Sequence, residues 1–175
     1  MKQSRKMMRM IALVCALTFA PTAGLLVAQW CGWKFYINTT ASMPEGIYLV
    51  RTRDYTLHVH EPVVFWPPAR IRALVYGQGW LKPGAPLIKH VGVLPGGRYC
   101  ALDGALHARS WPRLPIARQY APGRPLPHIH GCHSVRPNAF LPLSDGIPNS
   151  FDGRYFGPVA DRSIIGTARP IFVLK

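Results

Sequence analysis

From Met10 to Trp33 the chain carries no Asp, Glu, Lys or Arg, and the stretch from Ile11 to Ala28 is apolar at most positions. About 20 such residues cross a bilayer as a helix. Four basic residues (Lys2, Arg5, Lys6, Arg9) precede the stretch, and Trp30 and Trp33 close it. Basic residues stay on the cytoplasmic side and tryptophans gather at the interface. The pattern therefore predicts an anchor over residues 1–33, with a basic cytoplasmic head and everything after it exported. Pro21 would kink such a helix, which membranes tolerate. The alternative is a cleaved signal peptide with Ile11–Ala20 as its apolar core, leaving the rest soluble in the periplasm. Pro21-Thr22-Ala23 is a poor cleavage site for that reading.

Beyond residue 33 the pattern changes to short β-branched or aromatic runs punctuated by Gly and Pro. Gly46–Val50, Pro62–Trp66 and Pro86–Val93 read as strands. Pro67-Pro68 opens a short helix, because Ile71, Leu74 and Val75 fall at helical spacing, and Gly77 and Gly79 end it. Arg98–Leu102 and Ala105–Arg109 flank Asp103-Gly104, a strong hairpin signal. Residues 110–138, rich in Pro, Arg and His, lack periodicity and are expected to form an irregular insertion. Phe140–Leu143 and Ile164–Leu174 are the closing strands. The fold class expected is mainly β: one domain over 34–175, an antiparallel sheet with one short helix.

Composition changes this picture little. Glycine (16) and proline (18) favour short strands and turns over long helices. The net charge of +14 suits anionic lipid headgroups, nucleic acid or acidic substrates, and does not choose among them.

The candidate chemistry begins at Ser42, about a dozen residues after the apolar stretch. Pro44 restricts Met43 to extended backbone, which fixes Ser42 as a nucleophile requires, although a turn serine would need the same. Lys89 lies in an apolar strand, sharing one face with Leu87 and Val91, while Ile88, His90 and Gly92 share the other. Burial disfavours an ammonium and lowers its pKa, and a neutral amine can take a serine's proton. An edge-strand lysine that blocks aggregation is the plain alternative. His90 is a rival base, but it faces away from Lys89, so Ser42 can meet only one of the two.

Ala41–Tyr48, Leu87–Gly97 and Asn149–Pro158 resemble the three ordered boxes of type I signal peptidases, and most of all those of the TraF-type peptidases of conjugative transfer. The lysine box of that family usually has Arg after the lysine and Asp at the end of the following turn; His90 and Gly97 stand there. The third box often has Ser where Gly153 stands. The resemblance runs from about residue 10 to 172 and is weakest over 100–135. It implies Ser42 as nucleophile and Lys89 as general base. It implies an oxyanion hole from the Ser42 N–H and the Thr40 hydroxyl, and Ser150 as the group orienting the lysine. Asp152 and Arg154 would brace the site, or form a structural salt bridge only. The activity implied is a membrane-bound serine endopeptidase, free of cofactor and metal. It would cut a leader from an exported precursor such as a conjugative pilin, with water or a terminal amine resolving the acyl-enzyme. The partners implied are that precursor and membrane lipid.

Cys100 and Cys132 fall in the exported part, where disulfides persist, and are expected to pair. A metal site at His128, His130, Cys132 and His133 is the alternative, though the spacing fits no familiar zinc pattern. Two other functions compete with the peptidase. One is a basic, non-catalytic adaptor of a conjugation or secretion channel. The other is a nucleic-acid binder, weakened by export and by the lack of a binding motif.

Overall fold

The computed structural model describes residues 2–174; in the first helix the side chains at 2–5, 9, 12, 13, 16, 18 and 25 lie outside that description. The chain divides into two compact units, one reaching Lys34 and one beginning at Phe35. The first unit is α1 (Lys2–Trp30), with Pro21 inside it. Ile11, Leu17, Phe19 and Leu26 are exposed along it. Among the described residues no helix is long and apolar enough to cross a membrane; the anchor expected over Met10–Trp33 includes several of the side chains outside the description.

The second unit is mainly β. Its strands are β1 (Trp33–Asn38), β2 (Gly46–Arg51), β3 (Pro62–Phe65), β4 (Leu87–Val93), β5 (Arg98–Leu102), β6 (Ala105–Ala108), β7 (Leu114–Pro115), β8 (Gln119–Ala121), β9 (Arg124–Pro125), β10 (Gly131–Ser134), β11 (Ala139–Leu143), β12 (Val159–Ala160) and β13 (Ile164–Val173). Two short helices, α2 (Ala69–Gly77) and α3 (Gly153–Phe156), interrupt them. Seven strands form one sheet in the order β1-β2-β13-β3-β4-β11-β12. β13 pairs antiparallel with both β2 and β3, and β4 with both β3 and β11. The long β13 therefore joins the side of the sheet that follows Ser42 to the side that carries Lys89.

Strand alternation sends successive side chains to opposite faces. Val63, Phe65 and Val91 pack with Ile71 and Val75 of α2 and with Phe140 and Tyr155. Val64 and Ile88 pack on the other face with Met43, Tyr48, Val50 and Ala168. Helix α2 forms where the Pro-led i, i+3, i+4 pattern predicts. It ends at Gly77, and Gly79 follows at φ +69°, a left-handed conformation that suits glycine.

The second sheet, β10-β5-β6-β7, holds the hairpin predicted at Asp103-Gly104. Both residues have positive φ (50° and 70°), as a type I′ turn requires. The stretch 110–138 was expected to be irregular, and that expectation is corrected. It contains β7 to β10: β7 pairs with β6, β8 with β9, and β10 with β5. These strands are two to four residues long, too short for a period to show in sequence. Cys100 and Cys132 face each other across β5 and β10 and form a disulfide. The metal alternative loses its cysteine to that bond. His128 Nδ1 lies 3.1 Å from the Leu126 carbonyl, and His133 Nε2 lies 2.6 Å from that of His130.

Candidate active site

Three segments converge on one cleft of about 340 Å³: the loop 39–45 between β1 and β2, strand β4, and the segment 144–155 after β11. Ser42 comes from the first, Lys89 from the second and Ser150 from the third, and all three are buried. Lys89 Nζ lies 2.5 Å from Ser42 Oγ and 3.0 Å from Ser150 Oγ. Lys89 is the only charged residue lining the cleft among the described residues. Burial drives its pKa from 10.5 down to about 8; Asp152 works against that fall, and Arg154 adds a smaller push to it. In the neutral form the amine has one lone pair for the Ser42 hydroxyl and N–H groups for Ser150 Oγ.

The loop carrying Ser42 is held by a residue that the sequence did not single out. Asn38, buried at the end of β1, donates through Nδ2 to the carbonyls of Thr40, Met43 and Pro44, each at 3.0 Å. Its Oδ1 accepts from the Thr40 N–H at 3.2 Å and the Thr40 hydroxyl at 2.8 Å. Thr40 lines the cleft, with its hydrogen turned toward Asn38. The Ser42 carbonyl accepts from Ser144 Oγ. A Cβ on Gly146 would sit 2.9 Å from that carbonyl oxygen, so only glycine lets the two segments approach this closely.

Asp152 and Arg154 lie behind the three, fully buried, and pair at 2.9 Å. Asp152 also accepts from the Ser144 N–H at 3.0 Å and caps α3 through the Arg154 N–H at 3.0 Å. A chain of contacts thus runs from Asp152 through Ser144 to the backbone of Ser42. Arg154 donates to the carbonyls of Pro115, Ser144, Pro148 and Ser150 at 2.8–3.3 Å. A guanidinium presents five donors in a rigid fork, and here they tie four backbone points to one carboxylate. Ser144, like Asn38, was missed. A buried polar residue that bonds mostly to backbone leaves no spacing to read.

His90 points away from Ser42. Its nearest carboxylate is Asp145, 4.0 Å from Nδ1, and that nitrogen has no hydrogen-bond partner. Burial lowers its pKa; Asp145 opposes the shift, while His60 and Lys89 add to it. Two departures from the resembled boxes have packing reasons. A Cβ on Gly153 would lie 2.5 Å from the Pro142 carbonyl oxygen, and one on Gly97 would lie 2.5 Å from Val93 Cγ1.

A serine hydroxyl on a buried amine, in an open cleft in a mainly β domain, can carry out acyl transfer. The chain belongs to the signal peptidase family, peptidase S26, which matches residues 5–173. Within that family its relatives bear transfer names. "Conjugal transfer protein TraF" of Agrobacterium tumefaciens (strain 15955) is 32% identical over 167 residues, covering 91% of this chain and 89% of that protein. "Plasmid transfer protein TraF" of Escherichia coli is 30% identical over 145 residues, 77% of this chain and 81% of that protein. The crystal structure of a signal peptidase I from Enterococcus faecalis V583 aligns at a TM-score of 0.38 and 19% identity, covering 69% of this chain and 98% of that one. The family makes the protein signal-peptidase-like, a serine protease whose substrate is a secreted precursor.

Proposed function

We propose that the protein is a membrane-anchored serine endopeptidase in which Ser42 is the nucleophile and Lys89 its general base. The observation that carries this reading is the 2.5 Å contact between Lys89 Nζ and Ser42 Oγ, with burial lowering the amine's pKa to about 8. Ser42 adds to the scissile carbonyl as its proton passes to Lys89. Lys89 then gives that proton to the leaving amine, and the acyl-enzyme remains. Ser150 orients the amine; Asp152 and Arg154 set the backbone around it. The Ser42 N–H and the Thr40 hydroxyl stabilise the oxyanion once Thr40 turns its hydrogen from Asn38 to the substrate. One such donor is worth about 3–4 kcal/mol of barrier.

The basic head and the charge-free stretch Met10–Trp33 would hold the catalytic unit at the outer face of the cytoplasmic membrane. The relatives' names point to conjugation, and the substrate we infer is a pilin precursor, cut close to the membrane. Attack on the acyl-enzyme by water gives a linear product; attack by the pilin's own terminal amine gives a ring. Mass spectrometry of the pilin made with the wild type and with Ser42→Ala tests the reading. Cleavage that needs Ser42 supports it, and a product lighter by one water than the cleaved linear chain identifies cyclisation. Equal processing by both proteins would leave the non-catalytic adaptor.

A further inference from the structure

We propose that Trp80 and Tyr120 form a side wall of the cleft that selects one large apolar side chain of the substrate, away from the scissile bond itself. This rests on reading the cleft as the place where a peptide lies. The cleft's volume of about 340 Å³ is that of roughly ten water molecules. That is more than the single side chain beside Ser42 would fill. The space lies under an aromatic cluster. Trp80 meets Tyr120 edge-on at 5.1 Å and Phe151 at 5.3 Å, and Phe151 stacks on Tyr155 at 5.1 Å. Val75, Leu81 and Leu126 complete that side.

Tyr120 comes from β8, in the insertion, and its position relative to the dyad is fixed at two points. The Ala117 N–H donates to Tyr155 Oη at 3.1 Å, and Arg154 donates to the Pro115 carbonyl at 2.8 Å. Both anchors lie in the segment that supplies Ser150. The wall is therefore preorganised, which reduces the ordering needed on binding. Trp80 and Tyr120 are half-buried, so a ligand side chain laid against them removes apolar ring surface from water. A charged substrate side chain laid against these rings would lose its hydration to apolar surface, and Lys89, the only charged residue lining the cleft among those described, is already engaged by Ser42 and Ser150.

The test uses the full chain in detergent and peptides with a small residue at the scissile bond. Each flanking position is set in turn to Ala, Leu, Phe or Asp. At one position Leu and Phe should exceed Ala in kcat/KM by about 10–100-fold, with Asp lowest. That ratio should fall toward one in Tyr120→Ala and in Trp80→Ala, and return in Tyr120→Phe, which keeps the ring. If Trp80→Ala does not fold, the Tyr120 pair decides alone. The same peptides are ranked by anisotropy binding to Ser42→Ala, which needs no turnover. A wild type that cuts nothing, beside a Ser42→Ala protein whose binding shows the preference and loses it with Tyr120→Ala, removes the peptidase reading and keeps the wall. No preference at any position in binding, or a preference that survives Tyr120→Ala, overturns the wall whatever the turnover.

Discussion

Lys89 and His90 are neighbours in β4, both carry a titratable nitrogen, and their surroundings differ in every respect that matters to chemistry. Lys89 faces a serine hydroxyl on each of two other segments, and a buried ion pair sets the backbone of both. His90 faces Asp145 at 4.0 Å and the Trp111 ring at 6.0 Å between centroids, and one of its nitrogens bonds nothing. Burial pushes both pKa values down. For the lysine that brings the neutral amine close to working pH. For the histidine it only removes charge from a group already neutral for the most part at pH 7. On the proposed reading, the same physical effect makes a base on one face of a strand and leaves an inert ring on the other. What separates them is the presence of a serine hydroxyl within hydrogen-bond distance.

The largest expected effect breaks the comparison outright. Ser42→Ala and Lys89→Ala should each lower kcat/KM on a leader peptide by about four orders of magnitude or more. Lys89→Arg should do the same, since a guanidinium cannot deprotonate. His90→Ala should keep most of the activity. A dead His90→Ala with an active Lys89→Ala would reverse the roles.

The second prediction concerns support. Arg154→Met leaves Asp152 buried without its cation and four carbonyls without their donor. Breaking a buried pair from one side costs about 3–5 kcal/mol, so chemical denaturation should show a loss of that size. His90→Leu removes a nitrogen that has no partner and should lose little or nothing. Equal losses in the two variants would mean that the ion pair supports the site no better than the unpaired ring does.

Much of this was legible in the sequence, and the reasons are local. Strands β2 and β3 carry branched or aromatic runs, β4 carries one broken only by Lys89, His90 and Gly92, α2 has its proline and its spacing, and Asp103-Gly104 names its own turn. Period two put Lys89 and His90 on opposite faces. Beyond that, Ser42, Lys89 and Ser150 could be linked only by resemblance, because they are 47 and 61 residues apart in pairs and nothing local ties them. Strands β7 to β10 were not legible, since two to four residues cannot show a period. Asn38 and Ser144 act through backbone groups, and such contacts leave no trace in composition.

The third prediction sharpens the contrast through stability. The folded pKa of Lys89, about 8, lies below its ordinary 10.5. Between those values the unfolded chain binds more protons than the folded one, so stability rises with pH across that window. Below pH 8 the folded protein bears the full cost of a buried ammonium. Lys89→Met should therefore be more stable than the wild type by up to about 3 kcal/mol at pH 6–7. The advantage should fade as pH rises from 8 to 10.5. A variant less stable than wild type at pH 6 would mean that the ammonium is well accommodated and the amine is not poised as a base.

The smallest effect discriminates most finely, because it reaches Lys89 through a group that His90 never touches. Activity should rise with pH through about 8, as the amine loses its proton. A histidine base would place that rise at or below 6.5. Ser150 Oγ accepts from Lys89 Nζ at 3.0 Å, and a hydroxyl acceptor favours the ammonium over the amine. Ser150→Ala removes that preference, so the rising limb should move toward lower pH. The plateau rate should drop at the same time, because the amine loses the contact that aims it at Ser42. A neutral hydrogen bond is worth about 0.5–1.5 kcal/mol, which is a fall of about 2–12-fold in kcat/KM at high pH. Near pH 7 the two effects oppose each other, and the variant should come close to the wild type. A limb that stays put while the plateau falls would show that Ser150 positions the lysine without tuning it. A limb near 6.5 in both proteins would move the base to the other face of the strand.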